Sequence, residues 1–160
     1  MLKKKKKLNK KEIKFDIEEI KIFIEKFKNS KIYLGCDSQV TRKRVRYATV
    51  ICIHYEGSRG AKVFGEVTYD HIIDANKSKP INRMLSEVNK IVELYNKLEE
   101  VLIDRIDDIE IHVDVNPNEN EGSYVAYGAA KGMIQSMIGI MPIFKPFAFA
   151  SSCTADKLCR

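Results

Sequence analysis

Apolar residues recur along the chain with two periods. Ile17, Ile20, Phe23, Ile24 and Phe27 form a helical stripe within residues 15–28, with charges on the other side, and Asn29-Ser30 ends it. Residues 32–36 are a short apolar run that meets Asp37-Ser38, and residues 45–55 are rich in β-branched and aromatic side chains on both faces, as a covered strand requires. Glu56-Gly57-Ser58-Arg59-Gly60 is a turn, and residues 61–73 read as a third strand, antiparallel to the second. After Pro80, Met84, Val88, Ile91, Tyr95, Leu98 and Leu102 mark the longest helix, Ile81–Leu102. Residues 109–115 alternate as a buried strand, 116–122 form a polar loop, and Ser123 is placed to cap a helix over 124–138. Residues 143–149 predict a last strand, and 151–160 leave room for about two helical turns.

The order is helix, three strands, helix, strand, helix, strand, short helix. It predicts an α/β fold on a five-stranded mixed sheet, three antiparallel strands followed by two parallel ones, with an additional N-terminal helix. At 160 residues the chain has room for one core, expected over residues 15–160. With 44% hydrophobic and 31% charged residues it has a globular balance, and no apolar run of about 18 residues predicts a membrane span. Lys3 to Lys7 are not followed by the apolar stretch of a signal peptide, so a cytoplasmic protein is expected.

Charge and cysteine usage narrow the picture. Residues 1–14 hold eight Lys and one Glu, so the net charge of +6 sits in a basic N-terminal arm and the remainder carries −1. Such an arm can add salt-sensitive affinity for phosphate or act as a solubilising tail. Arg42, Lys43 and Arg44, with Arg46, lie just after an acidic motif and are the better candidates for binding a polyanion. Cys36, Cys52, Cys153 and Cys159 lack paired C-x-x-C spacing, which disfavours zinc and predicts buried thiols, with Cys159 open to exposure. No phosphate-cradling glycine loop occurs, and Ser38 has no evident His partner for hydrolase chemistry.

Four acids carry candidate chemistry. Asp37 follows Ile32, Leu34 and Cys36 at a strand end, where it either starts a turn or faces a ligand. Glu87 falls roughly 60° or less from the centre of its helix's apolar stripe. A carboxylate there needs compensation, from a metal ion or from Arg83 four residues earlier. Asp114 lies on the face opposite Val113, with Asn116 and His112 on its own face; His112 is read as a satisfied packing histidine. Asp156 opens the last helix, where it can equally serve the helix dipole.

The segments Gly35-Cys36-Asp37-Ser38-Gln39, Glu87-Val88, His112-Val113-Asp114-Val115-Asn116 and Ala148-Phe149-Ala150-Ser151-Ser152 through Ala155-Asp156 resemble the bacterial YkuK family, classed as ribonuclease H-like. The resemblance covers roughly residues 31–160. It implies the fold and a metal site at Asp37, Glu87, Asp114 and Asp156, although the chain ends four residues after Asp156, which shortens the last helix relative to larger enzymes.

Converging carboxylates with no soft ligands suit Mg2+ or Mn2+. A two-ion site of this kind hydrolyses phosphodiesters. Metal-dependent nucleic-acid hydrolysis is therefore expected, with Asp37 bridging, Glu87 and Asp114 holding one or both ions, and Asp156 completing the second site. Ser38, Gln39, Arg42, Lys43, Arg44 and Asn116 are the expected substrate contacts, and RNA or an RNA/DNA hybrid is the favoured partner. An inactive nucleic-acid or protein binding module is the alternative. The short last helix leaves a sheet flank thinly covered and makes a homo-oligomer plausible. Met133, Met137 and Met141 are read as core rather than interface.

Overall fold

The computed structural model describes residues 13–41, 44–56, 60–71 and 81–160. Its elements are α1 (Ile17–Lys26), β1 (Lys31–Val40), β2 (Arg44–His54), β3 (Ala61–His71), α2 (Ile81–Leu102), β4 (Ile109–Val113), α3 (Tyr127–Met137), β5 (Ile143–Phe144) and α4 (Asp156–Cys159). A π-helical segment, Ala150–Ala155, runs directly into α4. The strands lie in the order β3-β2-β1-β4-β5. β1, β2 and β3 pair antiparallel, whereas β4 pairs parallel to both β1 and β5. The expected mixed sheet is present, and no helix among the described residues is long and apolar enough to cross a membrane.

Alternation along the strands sorts the side chains onto two faces. Ile32, Leu34 and Cys36 of β1, Ile51 and Ile53 of β2, and Ile109, Ile111 and Val113 of β4 pack with Val88, Ile91 and Leu98 of α2 and with Ile20 and Ile24 of α1 in the larger core. Full burial of each large aliphatic side chain contributes about 1.5–3 kcal/mol. Ala48, Val50 and Cys52 on the other face of β2 meet Ala150, Ala155 and Cys159 in a smaller core. Gly35 makes this second layer possible. A Cβ there would lie 2.7 Å from the backbone of Ala150 and Ser151, so only glycine lets the C-terminal segment come this close to the central strand.

Several expected boundaries move. α1 begins at Ile17 because Asp16 takes the N-cap position, its carboxylate accepting from the Glu19 N–H at 3.0 Å. At its other end the Arg105 guanidinium donates to the carbonyls of Ile24 and Phe27 at 3.3 and 3.4 Å, and also to that of Ser30. β1 runs on through Asp37 to Val40, since its pairing with β2 continues where its apolar pattern stops. β5 is two residues rather than seven, because Pro146 has no N–H to extend a ladder. Ser123 does not cap α3. Its hydroxyl accepts from the Asn116 N–H at 2.8 Å, and residues Gly122–Ala126 form a 3-10 turn ahead of the helix.

None of the four cysteines is in a disulfide. Cys36 and Cys52 are buried, but the expectation is reversed for Cys153, which is exposed, and for Cys159, which is buried with its thiol donating to the Arg46 carbonyl at 3.2 Å. Met133 packs on the core, but Met137 and Met141 are exposed, since α3 ends at Met137 and the stripe turns out to solvent.

Candidate active site

The last parallel pair between β1 and β4 is Cys36 with Val113. Asp37 and Asp114 are the next residue on each strand. Cys36 and Val113 both point into the larger core, so alternation turns the two aspartates to the opposite face, side by side at the mouth of the gap where the strands part. Asp37 also lies across from Ala48, a member of the second core, which fixes the same face independently. Burial pushes the Asp37 carboxyl from its ordinary 3.8 up to about 6. The neighbouring Asp114 and Asp156 carboxylates push the same way, while the Ser38 backbone N–H and Arg83 oppose them.

Asp156 arrives on this face because the segment from Ala150 folds back over Gly35. Three contacts fix the segment. The Ala150 N–H donates to His112 Nδ1 at 3.0 Å, the Ser151 hydroxyl donates to the His112 carbonyl, and the Ser152 hydroxyl donates to the Ala148 carbonyl at 2.9 Å. With Nδ1 accepting, His112 carries its proton on Nε2, 3.1 Å from Glu110 Oε2. Burial holds its pKa below the ordinary value. His112 is thus a buried strut for the C-terminal segment, as its place inside the sheet suggested.

Glu87 approaches from the other side of the sheet. It is 3% exposed on α2, and its carboxylate accepts from the Ser38 hydroxyl. Arg83 Nη1 donates to the same hydroxyl at 2.9 Å and to the Ser38 carbonyl at 3.0 Å, lying 3.9 Å from Glu87 Oε1. Burial raises the Glu87 carboxyl well above its ordinary value; the Ser38 hydroxyl lowers it, and the charges of Asp37 and Asp114 raise it further. The four acids therefore share one electrostatic neighbourhood at the end of the β1–β4 ladder, three on one face and Glu87 reaching round from the other.

A family model described as ribonuclease H-like matches residues 16–160. The chain belongs to that family. No curated protein and no solved structure matches it. Within this ribonuclease H-like frame Asp37 lies on the first strand, Glu87 on the long helix, Asp114 just past the fourth strand and Asp156 at the start of the last helix.

The expected substrate contacts divide. Gln39 is exposed two residues along β1 on the face of Asp37, and Arg44 is exposed at the start of β2. Ser38 is buried between Arg83 and Glu87 and does not face solvent. Asn116 turns its Oδ1 to the Asn118 N–H at 3.0 Å, closing the loop locally. Arg42 and Lys43, like the basic arm through residue 12, lie outside the described residues. Arg46 is committed to the fold, donating from Nη2 to the Leu158 carbonyl at 3.0 Å.

Two cations in this ribonuclease H-like site were not among the expected site residues. Lys145 Nζ lies 3.0 Å from Asp114 Oδ1, and Arg160 grips Asp156 through Nη2 to Oδ2 at 2.9 Å and Nε to Oδ1 at 3.2 Å. An Arg four residues after an Asp on a helix is visible in sequence; a Lys meeting an Asp just past the ends of two neighbouring strands is not. The Lys145 contact is an ion pair without hydrogen-bond geometry, and Asp114 Oδ1 is a buried oxygen with no hydrogen-bond partner among the described residues. Among those residues no three His, Cys, Asp or Glu side chains lie close enough together to hold a metal ion. The donor chemistry still fits a hard divalent cation: four carboxylates that feel one another's charge at one strand end.

Proposed function

We propose that this ribonuclease H-like protein is a nuclease that hydrolyses phosphodiester bonds of nucleic acid, RNA or an RNA/DNA hybrid being the favoured substrate, with Mg2+ or Mn2+. The observation that carries the reading is the placement of Asp37 and Asp114 side by side where β4 parts from β1, with Asp156 on the same face and Glu87 at the strand end. Asp37 and Asp114 would form the heart of the metal site, with Glu87 and Asp156 as flanking ligands. When bound, such ions supply an activated water and stabilise the leaving oxygen. The protein's own part is to hold the carboxylates: Ser38 and Arg83 orient Glu87, and His112 with Ser151 fixes the segment that carries Asp156. Gln39 and Arg44 are exposed on the adjoining strands and available to the phosphate backbone.

The pairing of Asp114 with Lys145 and of Asp156 with Arg160 favours a second reading, an inactive binding module whose acids are internally neutralised. Cleavage of labelled RNA/DNA hybrid, single-stranded RNA and duplex DNA with Mg2+ or Mn2+ separates the two. A nuclease loses more than about 100-fold of its activity in Asp37→Asn and Asp114→Asn, beyond the roughly 10–100-fold that loss of an outer supporting contact costs. A folded native protein that cleaves none of the three substrates is the binding module.

A further inference from the structure

Each flanking acid of the site has a partner from the chain itself, but the partners differ in kind. Arg160 grips Asp156 from one turn along the same helix, and Ser38 holds Glu87 within a buried network. Lys145 is different. Its backbone is anchored, the N–H donating to the Val115 carbonyl at 3.2 Å, directly beside the strand exit that presents Asp114. Its side chain is 38% exposed and that of Asp114 18%, so the ammonium caps the carboxylate from the solvent side. It lies 3.0 Å from Oδ1, a buried oxygen with no hydrogen-bond partner among the described residues. The contact is thus charge against charge, with no directional bond to hold it, and an ion of higher charge can replace it.

We propose that Lys145 is the built-in counter-ion of the metal site: it occupies Asp114 Oδ1 until a divalent cation displaces it, and so sets how tightly the site takes metal. This inference rests on the nuclease reading in so far as both require metal at Asp37 and Asp114. A divalent ion drawing on Asp114 must first break the Lys145 pair, and the displaced ammonium remains tethered by its anchored backbone as a like charge nearby. Removing the charge relieves both effects and leaves the carboxylates in place. Lys145 is here a positioning residue, acting on the ion through Asp114.

The test is calorimetric titration of Mn2+ into the full chain at pH 7, comparing the native protein with Lys145→Gln, Lys145→Met and Lys145→Arg. The two neutral variants are expected to bind Mn2+ at least about threefold tighter, the scale of a half-exposed ion pair. Lys145→Arg, which keeps the charge, should stay within about twofold of the native affinity. Native binding that is unchanged or weakened in both neutral variants overturns the role of Lys145 and leaves the metal reading standing, as does an Arg variant that tightens as much as they do. Absence of Mn2+ binding in the native protein and every variant overturns the metal reading and this inference with it.

Discussion

Asp37→Asn should make the protein more stable at neutral pH, whatever it does to the metal binding proposed above. The fold holds the Asp37 carboxyl at about 6, against an ordinary 3.8 that the unfolded chain restores. A group whose folded pKa is raised favours folding in its protonated form, so its contribution is fully present below 3.8 and is lost as pH rises through about 6. Above that pH the native fold carries an ionised carboxylate pressed by burial, Asp114 and Asp156. The full shift corresponds to a ceiling of about 3 kcal/mol, and solvent access to the half-buried side chain brings it to about 1–2 kcal/mol. An asparagine cannot ionise, and its carbonyl can still accept the Ser38 N–H that the carboxylate takes. Urea denaturation of both proteins between pH 4 and pH 8, with chelator present, should show the variant's advantage growing from near zero at pH 4 to a plateau above pH 7. The thermal midpoint should rise by about 2–8 °C at pH 8. A variant that is less stable than the native protein at pH 8, or an advantage independent of pH, would refute the placement of Asp37 among acidic neighbours.

Two further substitutions probe the supports of the site. Gly35→Ala places a methyl group 2.7 Å from the Ala150–Ser151 backbone and should cost about 1–3 kcal/mol, read as a lowered urea midpoint; an unchanged midpoint would mean the C-terminal segment does not rest on β1. Ser38→Ala removes the hydroxyl that joins Arg83 to buried Glu87 and should cost about 1–3 kcal/mol in denaturant titrations. Because the Ser38 bond lowers a Glu87 carboxyl otherwise raised by burial, its loss should be felt more at pH 8 than at pH 5, and the reverse order would contradict the network.

How much of this was legible in the sequence follows from the range of each interaction. Strand alternation was enough to turn Asp114 away from Val113, and the helical stripe was enough to place Glu87 at a buried border. His112 read correctly for the same local reason. Ser38 and Gln39 break the apolar run of β1, although their pairing with Tyr47 and Arg46 carries the strand on. Ile143, Phe144, Phe147 and Phe149 make the sequence around β5 look like a longer strand than Pro146, the residue that ends the ladder, allows. Ser38 looked like a substrate contact beside Asp37, yet one step along a strand reverses the face, and its hydroxyl belongs to Glu87. The Lys145–Asp114 pair joins residues 31 positions apart, each one step past the end of a parallel strand, so no local periodicity could point to it.

The backbone of Lys145 bears on where the sheet opens. β1 and β4 stay paired through Cys36 and Val113, while on the other side of β4 the ladder to β5 runs through Val113 with Phe144 and one step further, from the Lys145 N–H to the Val115 carbonyl. Beyond Val113 the chain therefore follows β5 rather than β1, and the two strands part immediately after the residues that carry Asp37 and Asp114 into place. Only at such a parting can a side chain from the α2 layer, Glu87, share an electrostatic neighbourhood with carboxylates on the opposite face, because a continuous ladder would stand between them. The backbone bond that draws β4 toward β5 is also the one that brings the Lys145 ammonium over Asp114. Opening the site and supplying its counter-ion are thus consequences of a single residue's position, with Pro146 ensuring that the ladder goes no further.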